Sequence, residues 1–110
     1  MPTSTFTFEL KGVQGLQLNQ CNAFDPITNA KLVVDEQMNN NPNGNGMIGT
    51  FGPWDHVGDT VQAEISVKCN PKQQVQCTIT RTTDSTNPKS VTKTVIANEK
   101  GELTTGFLTV

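Results

Sequence analysis

Tyrosine is absent from this chain, and tryptophan and histidine occur once each, as Trp54 and His56. With five phenylalanines as the remaining aromatics, there is no material for a broad aromatic platform. A lone histidine excludes a blue-copper site, which needs two of them beside a cysteine. It also leaves nucleophilic catalysis short of parts: a cysteine hydrolase would have to draw on Cys21, His56 and Asp25, which share no local signature. The expectation is therefore a protein that is not an enzyme.

Charge is scarce as well. Charged side chains make up 16% of the 110 residues and the net charge is −2, which argues against the basic face that a nucleic-acid partner requires. No run of like charges suggests a tail or a membrane-surface patch. No apolar run is long enough to cross a bilayer, and residues 1–7 lack the basic start and apolar stretch of a signal peptide. The expected partners thus include neither nucleic acid nor membrane, and the compartment is left open.

The three cysteines, Cys21, Cys69 and Cys77, allow at most one intrachain disulfide. Cys69 and Cys77 flank a turn-like stretch, Asn70 to Gln74. They are either bridged across it or simply two small buried residues on one core face. Three cysteines and one histidine without close paired spacing do not make a zinc site.

What the chain does have is alternation. Phe6, Phe8 and Leu10 point one way while Thr5, Thr7, Glu9 and Lys11 point the other, the period of a half-buried strand. Leu16 and Leu18 continue the habit after a turn at residues 12–15. Asp25 and Pro26 signal another turn, and residues 30–37 read as a strand with Leu32 and Val34 on one face. The strongest signal covers residues 60–81: Val61, Ala63, Ile65, Val67 and Cys69, then Val75, Cys77 and Ile79, all share an inner face. This predicts a hairpin, and residues 90–97 and 102–110 predict a second one across the turn 98–101. Seven or eight short strands with turn signals every 8–12 residues imply an all-β fold, an antiparallel β-sandwich, with a small closed β-barrel as the alternative. Residues 1–110 read as a single β-sandwich domain.

Between the strand patterns lies the segment 39–59, rich in Asn, Gly and Pro, which reads as a long polar loop. Such loops are usually functional or disordered. It carries Trp54, Asp55 and His56, with Asn43 and Asn45 nearby. An indole face stacks on a pyranose while Asn and Asp bond its hydroxyls, so carbohydrate is the ligand class this set favours. Equally, Trp54 could fold inward as a plug over the open end of the sandwich. Asp35, Asp55 and Asp59, with Asp25 and Glu36, supply hard oxygen atoms of the kind calcium takes, though in no EF-hand spacing. Otherwise no cofactor is expected. Gly58 and Asp59 read as a turn into the following strand. The function expected is that of a small non-enzymatic binding module, carbohydrate-recognising through segment 39–59. The alternative is a structural or protein-interaction domain (scaffold, inhibitor or assembly subunit, including a homo-oligomer) in which that segment is only a connector.

Overall fold

The computed structural model describes residues 2–12, 17–34, 39–40, 46–83 and 87–110. These form strands and no helix: β1 (Thr3–Lys11), β2 (Gln17–Phe24), β3 (Lys31–Val34), β4 (Asn39–Asn40), β5 (Gly46–Asp55), β6 (Gln62–Lys68), β7 (Gln74–Thr83), β8 (Lys89–Ile96), β9 (Glu102–Thr104) and β10 (Leu108–Thr109). The first sheet has the order β4-β5-β1-β7-β8. The second has the order β10-β6-β2-β3, with β9 also on β6. Every ladder is antiparallel. The two open sheets pack face to face as a sandwich, and neither closes into a barrel.

The alternation sets this up directly. Phe6, Phe8 and Leu10 of β1 and Val75, Cys77 and Ile79 of β7 meet Ala63, Ile65 and Val67 of β6 and Cys21 and Ala23 of β2 in one buried cluster. Each large side chain removed from water there contributes about 1.5–3 kcal/mol. The opposite face of the first sheet is held by hydroxyls in place of charges. Thr7 pairs with Thr50 (3.0 Å), Thr78 with Thr92 (3.0 Å) and Thr80 with Ser90 (2.8 Å) across neighbouring strands. Cross-strand threonine pairs of this kind stabilise a sheet and keep it wet, which accounts for a fold with so little charge.

Three expectations are corrected. Residues 60–81 are not a hairpin: β6 belongs to the second sheet and β7 to the first, so the chain crosses the sandwich between them. Residues 90–97 and 102–110 part in the same way, β8 joining the first sheet while β9 and β10 join the second. The inward faces were read correctly, because two strands facing each other across a core show the same apolar period as two strands paired side by side. The two crossings are bonded to one another, Cys69 N–H to Gly101 O at 2.8 Å and Ala97 N–H to Gln73 O at 2.9 Å. All three cysteines are free.

The third correction concerns segment 39–59, which is not one long loop. It contains β4 and the ten-residue β5, paired along β1. Glycine is depleted in strands, yet here it permits the pairing. Gly46 (φ 144°) and Gly52 (φ 121°) adopt backbone angles that L side chains avoid. A Cβ on Gly52 would lie 2.9 Å from the Ser4 carbonyl oxygen, and one on Gly46 would collide with that of Leu10. The register slips between Ser4 and Phe6, where β5 holds one extra residue, a bulge of the kind glycine accommodates.

Candidate functional site

Trp54 is half-buried. Its ring lies 6.0 Å from that of Phe6 and 5.5 Å from that of His56, and it packs against the core. Asp55 is exposed and accepts a hydrogen bond from the Thr3 hydroxyl. Asp59 is exposed, and its backbone carbonyl accepts from Arg81 Nη2 at 2.9 Å. His56 is only 2% exposed. The structure thus brings Trp54 and His56 together as neighbours in the wall of the fold. Asp35, Asn43 and Asn45 lie outside the described residues, as does Glu36. Among the described residues no three His, Cys, Asp or Glu side chains converge to hold a metal ion.

His56 belongs to a polar closure at one end of the sandwich that sequence reasoning did not find. Its Nδ1 stands 2.7 Å from Gly58 O, an acceptor, so that nitrogen carries the proton and donates. Nε2 stands 2.6 Å from Ser4 Oγ, and Ser4 Oγ in turn meets Thr83 Oγ1 at 2.7 Å. The connectivity is that of a nucleophile and its base. Both groups are buried, however, Ser4 at 0% exposure and His56 at 2%. The pair fastens β1 to the connector that leaves β5.

Asp25 fastens the same connector to the second sheet. It sits in the turn between β2 and β3, fully buried. Its carboxylate accepts from Val57 N–H (2.8 Å), Ile27 N–H (3.0 Å) and Thr28 Oγ1 (3.1 Å). The Val57 amide, followed by the Ile27, Thr28 and Gly58 donors, holds this carboxyl below its ordinary range, against the opposing pull of burial. Asp25, Cys21 and His56 form no triad. Asp25 is committed to amides, His56 to Gly58 and Ser4, and burial, with Cys77 adding to it, pushes the Cys21 thiol up to about 12.

The outer face of the second sheet is different in kind. Phe24, Val33 and Phe107 lie on it beside Asn22, Lys31 and Glu64, lining an open groove of about 390 Å³. Phe107 and Val33 are each 48% exposed, and the rings of Phe24 and Phe107 stand 6.2 Å apart at 53°. Asn22 Nδ2 donates to Glu64 Oε1 at 2.8 Å across the β2–β6 ladder. The signal for this site lay in outward positions of strands. Apolar residues there break the usual polar exterior, and Phe24 and Val33 occupy such positions. Comparison with family models, with curated proteins and with solved structures finds no match to this chain.

Proposed function

We propose that this chain is a non-enzymatic binding module that takes a carbohydrate on the outer face of its second sheet. The observation that carries the reading is the pair of partly exposed phenylalanines, Phe24 and Phe107, over a groove edged by an amide, a carboxylate and an ammonium. Aromatic rings cover the C–H face of a sugar ring, while Asn22, Glu64 and Lys31 offer donors and acceptors for its hydroxyls. Ligand sites generally combine such an apolar lining with a few placed polar groups. Trp54 is a weaker candidate, because Phe6 and His56 already cover part of it.

A glycan array, run with and without chelator, tests the class. Loss of binding in chelator would bring calcium into the site. Phe107→Ala should weaken binding about tenfold, and Trp54 fluorescence should not move when sugar is added. A clean null on the array, or undiminished binding by the Phe107 variant, would remove the proposal. A protein partner is the second reading, supported by Ile96, 64% exposed on the edge strand β8. An unpaired edge invites another strand, and sedimentation of wild type against Ile96→Lys would reveal self-association there.

A further inference from the structure

We propose that a groove on the first-sheet side of the polar closure binds a small oxyanion, a phosphate or a carboxylate, between Arg81 and Lys89. The groove, about 310 Å³, is lined by Pro2, His56, Asp59, Arg81, Thr83 and Lys89. A water molecule takes about 30 Å³, so an oxyanion fits with solvent to spare.

Arg81 carries the argument. It follows Ile79 on the inward face of β7 and is 3% exposed, a position where the strand pattern calls for an apolar residue. A guanidinium has five N–H donors. Here Nη2 donates to the Asp59 carbonyl at 2.9 Å, while Nε is buried with no hydrogen-bond partner. Buried polar groups are nearly always satisfied, and an orphan calls for an explanation. Burial lowers the Arg81 pKa, an effect the nearby Asp59 charge opposes, so the site holds its cation at a cost.

Lys89 adds to that cost. It is the direct ladder partner of Arg81 across β7 and β8, and like charges on facing positions repel. Asp59 is the one carboxylate among the groove's described lining residues, and neither cation forms an ion pair with a described residue. Two cations set opposite each other at a groove, one with unmet donor capacity, make a receptor for an anion. The guanidinium fork and the ammonium would share its oxygens. The site is independent of the aromatic groove on the other sheet.

The Arg81 Nε–H resonance gives a direct readout. Sodium phosphate and sodium acetate are titrated separately at fixed ionic strength, with chloride as the balancing salt. A saturable shift of that resonance is expected with one of the two oxyanions, and the tighter one identifies the group recognised. Lys89 is exposed, so Lys89→Gln should leave the backbone amide spectrum unchanged while weakening binding about tenfold or more. A shift that chloride reproduces would overturn the proposal. So would saturation by neither anion, or equal binding by the Lys89 variant.

Discussion

The carboxylate of Asp25, in the turn between β2 and β3, accepts the backbone N–H of Val57 at 2.8 Å, and Val57 lies on the connector that leaves β5 for β6. The bond therefore ties the second sheet to the strand the chain has just left in the first. Ser4 of β1 holds the same connector from the first sheet through His56, which lies on it, at 2.6 Å. The end of the sandwich is closed by polar side chains aimed at backbone, where hydrophobic plugging alone would leave those amides unpaired.

Asp25 makes the closure sensitive to acid. Its folded pKa lies below the ordinary value of 3.8, so its contribution is fully present above that value. It is lost as pH falls from there through the lower folded value, because the unfolded chain takes up the proton first. Urea midpoints should drop over that interval in wild type, and Asp25→Asn should be less stable at neutral pH with a flatter acid limb. Parallel acid limbs in the two proteins would show that Asp25 is not the group responsible.

The core thiols act at the other end of the scale. Burial, with the neighbouring thiol adding to it, lifts Cys21 from 9.0 to about 12 and Cys77 from 9.0 to about 11. From about pH 9 the unfolded chain loses protons that the folded chain keeps. Stability should then fall by up to about 1.4 kcal/mol per pH unit for each thiol, until pH passes the folded values. Denaturation of Cys21→Ala under reducing conditions should show a shallower alkaline loss than wild type. Non-reduced peptide digests should contain no bridge.

Ile65 is buried at the centre of the core, and Ile65→Ala should cost about 2–5 kcal/mol in equilibrium unfolding. Ser66→Ala and Gln62→Ala, on the outer face, should stay within about 0.5 kcal/mol. Comparable losses on both faces would mean that a partner covers the outer one.

Trp54→Ala and Phe107→Ala should separate architecture from recognition. Trp54 packs on Phe6 and His56, so its removal should lower stability by about 2 kcal/mol and leave glycan binding intact. Phe107, 48% exposed, should show the reverse, with a small change in stability and a large one in binding. Thermal melts and array binding of both variants check this. The opposite assignment would return the site to the Trp54 segment.

Much of this was legible in the residues. Phe6, Phe8 and Leu10, and Val61 to Ile79, declared their inward face because the pleat of a strand imposes period two wherever one side is buried. Asp25 and Pro26, Asn70 to Gln74 and Asn98 to Gly101 declared turns through their own backbone chemistry. These are local properties, and local sequence determined them. Which strand pairs with which is not local. A turn that returns within a sheet and one that crosses between sheets offer the same residues, so only the packed structure put β6 and β7 on opposite sides of the core. In the same way Gly46 and Gly52 read as loop until β1 lies against them. Arg81 reads as the last residue of a strand until the chain folds and brings the Asp59 carbonyl and His56 beside it. Those roles rest on contacts between residues far apart in the chain, and tertiary packing alone supplies them.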